Sequence, residues 1–332
     1  MVGYSETFST GGSMLFQIFV GYIVIKYGFL PKEFIGLING FVFRVNFVPL
    51  MARAFWNRNF GSLDFKPMLV TSCASISTQL ALCILFLLPL EDPFFTYLSM
   101  VLPIIYLNYL IIGVPIFNSI WGEANNQITA VVIISNDLII VPMYQILTTI
   151  YKIRQRNKEN LENGKEIEKF SLSIIYEIAK NVISSPIIIG IIIGMTWSFI
   201  GLPNPIIIDQ FMSVISQSTM GLALFCVGGF LSQHSFIACK WSIFLSSLFF
   251  RFIVMPSFSG LFGYLFGLSN LETRQCMIMT SFNTATICYS MSQTAGFGPD
   301  VSTTMVFWTV VLVVPMVTLW LWVLDQFKLF VV

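Results

Sequence analysis

Charged side chains are scarce in this chain of 332 residues, because Asp, Glu, Lys and Arg together make up only 10% of it. A soluble domain carries about 25% charged residues, since its surface faces water. Apolar residues account for 56% of the chain, and its mean hydropathy is +0.82. We therefore expect the chain to lie in a lipid bilayer, which only helices and closed barrels can span.

Groups that carry catalysis, redox chemistry or metal binding are also few. The only histidine is His234, and no nucleophile motif lies near it. The six cysteines have no paired spacing, which argues against both a disulfide framework and a zinc site. No G-x-x-x-x-G-K-[ST] sequence occurs, and the net charge of +1 argues against a nucleic-acid partner. We expect neither an enzyme nor a cofactor or metal.

What the chain does contain is a series of apolar stretches of membrane-spanning length. Runs such as Ile187–Ile193 and Val310–Val317 show no alternation of polar and apolar residues, which favours helices over a barrel. A span needs about 20 residues. We predict an all-α polytopic membrane protein of about ten helices. The predicted spans are 12–28, 35–57, 67–89, 94–120, 127–151, 174–200, 206–232, 239–267, 275–293 and 301–327.

One connecting segment, residues 152–173, is hydrophilic and divides the chain into a first half, 1–151, and a second half, 174–332. Its Lys and Arg residues predict a cytoplasmic loop, because short basic loops stay inside. Five spans precede this loop, so the N-terminus is predicted on the non-cytoplasmic side. The sequence leaves open whether the membrane is the plasma membrane or the endoplasmic reticulum.

The two halves repeat short sequence elements at nearly the same distance. Val141-Pro142-Met143 recurs as Val314-Pro315-Met316, an offset of 173, and Leu30-Pro31 recurs as Leu202-Pro203, an offset of 172. Because each half has an odd number of spans, the second would enter the membrane from the opposite face. This predicts two inverted five-helix repeats, the architecture of many secondary transporters, with the substrate near the midplane.

The fourth and ninth predicted spans are unusually polar and occupy matching positions in the two halves. The fourth contains Asn108 and Pro115, and we expect the proline to break or kink it near 111–115. The ninth contains Ser281, Asn283 and Thr284. Two interrupted polar helices at matching positions indicate a midplane substrate site. The alternative is that these side chains only hold helices together.

Ionisable residues inside the spans are rare, and Asp137 is the deepest of them. An aspartate at the centre of a membrane helix costs about 2.5–3.5 kcal/mol on insertion scales. It is a candidate charge or proton site. It could instead serve the fold by pairing with Arg44 or Arg251, or by hydrogen bonding within the bundle.

Several of these segments resemble the auxin efflux carrier family of PIN-type and PIN-like transporters. They are NYLIIGVPIFNSIWG, STMGLALFCVGGFL and PDVSTTMVFWTVVLVVPMVTLWLWVL, and with the early GYIVIKYGFLPKEFIGLINGFVFRVNFVPL the similarity covers nearly the whole chain in the family's order. The resemblance implies ten helices in two inverted repeats, with helices 4 and 9 crossing at the substrate site, and an elevator-type motion. Its short central loop would make this chain a short-loop member. The family usually has a proline before the helix-4 asparagine and another in helix 9. Here Leu107 precedes Asn108, and the ninth span has no proline.

The resemblance implies a secondary carrier that exports a small organic anion. Asn108 and Asn283 are the leading candidates for substrate contact, followed by Thr284, Pro115 and Ser281. The lipid bilayer is the expected surrounding, and a homodimer is a further expectation. A non-transporting receptor or scaffold of the same fold is the alternative, and a channel is harder to exclude than an intramembrane enzyme.

Overall fold

The structure is a computed structural model, and it describes residues 4–56, 64–122, 127–162, 171–201 and 203–331. Within these residues the regular structure is helical, and a single β-bridge joins Leu107 and Thr284. Residues 163–170 of the predicted loop and Leu202 lie outside the described residues. The helices are α1 Ser5–Lys26, α2 Glu33–Trp56, α3 Lys66–Leu87, α4 Pro93–Ile105, α5 Tyr109–Trp121, α6 Ile128–Glu162, α7 Leu172–Ile183, α8 Pro186–Ile200, α9 Ile206–Ser232, α10 Trp241–Leu265, α11 Asn270–Thr280, α12 Ile287–Ala295 and α13 Pro299–Gln326.

Seven of these helices are long and apolar enough to cross a membrane, or eight if α7 and α8, bent by 65° at their junction, form one span. The predicted all-α polytopic fold is thereby confirmed. The fourth and ninth predicted spans are each divided into two short helices, α4 with α5 and α11 with α12. The total of ten spans stays a prediction. The predicted hydrophilic segment begins as helix, because α6 continues to Glu162.

Local sequence signals explain where several of these helices begin and end. The Asp92 side chain caps α4 by accepting a hydrogen bond from the Phe95 N–H at 2.8 Å. Ser269 and Glu272 form a capping box at the start of α11. At the end of α8, Gly201 adopts φ 70°, a left-handed conformation that glycine takes at no steric cost.

Helices α1, α2, α8 and α9 form one group, which we call the paired group, because α1 packs on α9 and α2 packs on α8. Glycines allow these backbones to approach closely. A Cβ on Gly228 of α9 would lie 1.9 Å from the Ile18 carbonyl oxygen, and one on Gly190 of α8 would lie 2.5 Å from that of Val48. Such small-residue contacts let membrane helices pack without a hydrophobic driving force between them.

Helices α3 to α6 and α10 to α13 form a second group, which we call the crossing group. Helix α10 packs on α3 and α11, and α13 packs on α4 and α12. In the paired group, each pair joins one helix of the first half to one of the second. Two inverted halves related by a two-fold axis would pack in this way, with each helix of one half against a helix of the other. The packing is therefore compatible with the predicted repeats and their boundaries, which stay predictions.

Candidate functional site

The two divided spans cross each other at their breaks. Residues 106–108, between α4 and α5, lie antiparallel to residues 283–285, between α11 and α12, and Leu107 bridges Thr284. The Asn108 N–H donates to the Asn283 carbonyl oxygen at 2.8 Å, and the Ala285 N–H donates to that of Tyr106 at 3.3 Å. The sequence therefore located both interrupted segments correctly, and the structure brings them into direct contact.

The first break lies earlier than expected. The chain leaves the helix at 106–108, whereas Pro115 lies inside α5, after a π-helical turn at Tyr109–Gly113. The break was expected too late in the chain, because Pro115 does not end its helix, and the distortion next to the proline is the π-helical turn that precedes it. Asn108 begins α5 instead, and its Oδ1 accepts from the Ile111 N–H at 3.2 Å.

The second break forms without any proline, because side chains replace the lost helical bonds. The Thr284 N–H donates to Thr309 Oγ1 at 2.9 Å, and Thr284 Oγ1 donates to the Pro103 carbonyl oxygen at 2.7 Å. These bonds tie the break to α13 and to the last turn of α4. Buried backbone groups that leave a helix need such partners.

A buried arginine joins the two breaks from the side of α10. Arg251 has no exposed surface, and its guanidinium donates to the Ile104 carbonyl oxygen at 2.6 Å and to that of Phe282. Carbonyl groups at helix ends carry partial negative charge, which a cation stabilises.

Asp137 does not pair with Arg251 or Arg44 among the described residues. The Tyr106 hydroxyl instead donates to the two carboxylate oxygens of Asp137 at 3.3 and 3.4 Å.

A cavity of about 1010 Å³ lies between the paired group and the crossing group. Its wall includes residues from α2, both breaks, α5, α6, α7 and α12. Three π-helical turns contribute to it, in Val42–Asn46, Tyr109–Gly113 and Asn136–Ile140. Single π-turns in membrane and soluble helices are frequent at functional sites.

Several polar atoms in this wall are buried and make no hydrogen bond to any described residue. They are Asn108 Nδ2, Asn136 Oδ1 and Gln145 Oε1. The other ends of two of these amides are fixed, since Asn108 Oδ1 accepts from Ile111 and Asn136 Nδ2 donates to the Leu107 carbonyl oxygen at 2.6 Å. Because buried polar groups are normally paired, these atoms are candidates for contact with a bound molecule.

The charged side chains of the wall are unevenly distributed. Arg44, Lys152 and Arg156 contribute positive charge, whereas Asp137 and Glu177 contribute negative charge. Lys152 and Arg156 lie near the end of α6 that leads into the predicted loop. The cavity therefore extends from the crossing toward the side on which that loop lies.

The residues predicted from the sequence fall into two sets. Asn108 and Asp137 line the cavity. Ser281, Asn283 and Thr284 have no exposed surface and lie at the crossing outside the cavity wall, and the half-buried Pro115 also lies outside it. A role in substrate contact stays a prediction for all of them.

Sequence reasoning missed Tyr106, Asn136 and the wall formed by α6. The sequence did contain a signal for the wall formed by α6. Gln145, Thr148, Lys152 and Arg156 are spaced three or four residues apart, so they share one face of a helix, and Thr149 lies next to that face.

The chain matches a family model described as membrane transport protein over residues 13–321. The chain belongs to this family. Auxin efflux carrier component 8 of Arabidopsis thaliana is 20% identical over 253 residues, which cover 66% of this chain and 68% of that relative. The probable auxin efflux carrier component 3b of Oryza sativa subsp. japonica is 29% identical over 109 residues, 31% of this chain and 18% of the relative. Component 6 of Arabidopsis thaliana is 22% identical over 152 residues, 44% of this chain and 27% of the relative.

These relatives confirm the resemblance to auxin efflux carriers that the sequence segments indicated. The chain spans about two thirds of component 8, but only 18% and 27% of the other two relatives. As a family member with several membrane-length helices, the protein is an integral multi-pass membrane transport protein whose substrate is a small molecule.

Proposed function

We propose that this protein is a secondary carrier that moves a small organic anion across the membrane through the cavity at the helix crossing. The observation that carries the proposal is the Asn108 amide, whose Nδ2 is buried in the cavity wall without a partner among the described residues. An unpaired donor at the start of a membrane helix is a suitable group to hold a carboxylate.

The electrostatics of the wall favour a negatively charged substrate. The first residues of α5, Tyr109–Ile111, and the residues at the start of α12, Thr286 and Ile287, line the cavity. Helix N-termini carry partial positive charge and stabilise anions. Arg44, Lys152 and Arg156 add positive charge along the cavity. Auxin, which the names of the relatives mention, is an organic anion of this kind and is the first probe to test.

We assign different roles to the residues predicted from the sequence. Asn108 contacts the substrate directly. Thr284 holds the crossing together through its bonds to Thr309 and Pro103. Asn283 acts in the same way, because its carbonyl oxygen accepts from the Asn108 N–H and its Nδ2 donates to the Thr284 carbonyl oxygen at 2.9 Å.

The division into two helix groups supports an elevator-type motion. In this proposal the crossing group slides against the paired group and carries the substrate, because the cavity lies between them. The cavity extends toward the basic end of α6, which the positive-inside rule assigns to the cytoplasm. The arrangement described here is then the inward-facing state, and the N-terminus is outside.

The experiment is uptake of radiolabelled indole-3-acetate, and of a panel of other aromatic and aliphatic carboxylates, by liposomes that contain the purified full chain. We expect Asn108→Ala to reduce transport at least tenfold while its melting temperature falls only modestly, because the change removes one cap hydrogen bond, from the Ile111 N–H to Oδ1, worth about 1 kcal/mol. The matched control is Asn118→Ala on the same helix, since Asn118 lies outside the cavity wall.

Three outcomes would contradict the proposal. The first is transport by Asn108→Ala at the wild-type rate, which would remove the assigned site. The second is binding of an anion in detergent without any transport into liposomes, which would favour the receptor alternative. Failure of every carboxylate to bind would exclude an anion site.

A further inference from the structure

Asp137 places a second carboxylate in the cavity that we assign to an organic anion. The inference drawn from it below rests on that proposed function. The residue lies in the π-helical turn Asn136–Ile140 of α6, is 9% exposed, and lines the cavity beside Asn136. Its bonded partner among the described residues is the neutral Tyr106 hydroxyl. A buried carboxylate without a cation is costly in the membrane.

No described cation forms an ion pair with Asp137. Among the described residues, Arg53 pairs with Asp209 and Arg274 pairs with Asp325. Arg251 is directed at the carbonyl groups of Ile104 and Phe282 instead. Helices α3 and α8, which pack against the 136–140 turn, place no charged side chain in the cavity wall. The titratable or charged side chains that share the cavity with Asp137 are Arg44, Tyr106, Tyr109, Tyr144, Lys152, Arg156 and Glu177.

An organic anion held at Asn108 and the carboxylate of Asp137 would occupy the same cavity. Two like charges that share one cavity repel each other more strongly in a membrane interior than in water, because the local dielectric constant is lower. The repulsion disappears when Asp137 takes up a proton. Glu177, the other carboxylate of the wall, lies in an exposed stretch of α7, whereas Asp137 is buried.

We propose that Asp137 carries the coupling proton of transport: the protein binds its organic anion together with a proton on this carboxylate and moves both across the membrane. The proton is taken from water on one side as the anion enters the cavity, and both return to water on the other side. No redox or covalent step is involved, and a monovalent anion then crosses without net movement of charge.

The proposal can be measured through the binding of the proton and the organic anion. If the proton raises the affinity for the anion, the anion must raise the affinity for the proton by the same factor. Anion affinity should fall as pH rises and Asp137 ionises. Addition of the anion to the purified protein in weak buffer should remove protons from solution, up to about one per anion bound.

The experiment measures the affinity of purified full-length protein for indole-3-acetate, or for the panel carboxylate that binds, from about pH 5 to about pH 8, where carboxylate probes are ionised. We expect the wild type to lose at least tenfold in affinity across this range and to take up protons on binding. Asp137→Asn should bind with an affinity that varies less than twofold and without proton uptake. Asp300→Asn, the control, should behave as the wild type, because Asp300 is exposed and lies outside the cavity wall.

Tyr106→Phe provides a second test if Asp137→Asn fails to fold. It removes the hydroxyl that donates to the ionised carboxylate, so Asp137 should hold its proton to higher pH and the midpoint of the affinity curve should move upward. Wild-type affinity that does not change with pH, or an unchanged pH dependence in Asp137→Asn, would overturn the proposal. Either result would leave the proposed anion site standing, whereas failure of all carboxylates to bind would remove the proposed function itself.

Discussion

The two breaks of the crossing look alike in sequence but differ in what surrounds them. All three residues of the first break, 106–108, line the cavity. In the second break, residues 281–284 have no exposed surface and lie outside the wall, and only Ala285 and Thr286 reach it. One break therefore presents side chains to a bound molecule, whereas the other is largely enclosed by protein.

The difference shows that polar content alone does not identify a binding residue. The second break uses most of its polar groups internally, as Thr284 bonds to Thr309 and Pro103, and Ser281 bonds to the Ile278 carbonyl oxygen at 2.7 Å. At the first break, Asn108 keeps one amide nitrogen unpaired. Asn283 Oδ1 is also buried without a partner among the described residues, but Asn283 lies outside the cavity wall. What matters for the substrate is an unpaired polar atom that also lines the cavity.

The largest expected effect comes from Arg251, which contacts both breaks. Arg251→Met should leave the carbonyl groups of Ile104 and Phe282 unsatisfied, at about 1–3 kcal/mol each. We expect a large drop in melting temperature in detergent, with loss of transport. The control is Arg53→Met, because Arg53 forms a partly exposed ion pair with Asp209, and such pairs contribute about 0–1 kcal/mol. Equal small losses for both variants would mean that the guanidinium does not hold the crossing.

The sequence predicted the architecture better than the chemistry of the site. The low charge and the long apolar runs determine that the chain is a polytopic helical membrane protein, because backbone polar groups must be satisfied internally in lipid. The polar stretches containing Asn108 and Asn283 revealed both interrupted spans, since such residues are costly in a uniform membrane helix.

The contacts of the site could not be predicted, because they join residues distant in the chain. Arg251 meets Ile104, which is 147 residues away. Thr284 reaches Pro103 across 181 residues. From the sequence alone, Pro115 suggested a break that the structure places at 106–108. The partner of Asp137 stayed open between Arg44, Arg251 and a hydrogen bond within the bundle, and in the structure it is the Tyr106 hydroxyl. Which asparagine lines the cavity depends on the same long-range packing.

A smaller effect is expected from a change at the second break, and its comparison with Asn108→Ala tests the contrast between the two breaks. Thr284→Val keeps the side-chain shape but removes the hydroxyl that donates to the Pro103 carbonyl oxygen, so we expect a loss of about 1–3 kcal/mol in stability. Transport per folded molecule should fall less than in Asn108→Ala. Thr96→Val is the control, because the Thr96 hydroxyl bonds within its own helix turn, to the Asp92 carbonyl oxygen, and Thr96 lies outside the cavity wall. If Thr284→Val abolished transport without lowering the melting temperature, the contrast between the breaks would be incorrect.

The smallest expected effect is the stability change from removing the caps of α4 and α11, the helices that lead into the two breaks. The two helices begin with different caps. Burial alone would raise the pKa of Asp92, but hydrogen bonds from Tyr151 and from the backbone N–H groups of Phe95 and Phe94 outweigh it and leave the pKa below its ordinary value. The capping contribution of Asp92 is therefore present above the unfolded-state pKa of about 3.9 and is lost as the pH falls through the lower folded-state value.

Asp92→Ala should cost about 1 kcal/mol near neutral pH, and its difference from the wild type should shrink in acid. Ser269→Ala should cost a similar amount near neutral pH, and loss of the serine hydroxyl adds no titration of its own. Melting curves in detergent over a pH series measure both, and an Asp92→Ala difference that stays constant into acid would mean that the α4 cap does not depend on the carboxylate's charge.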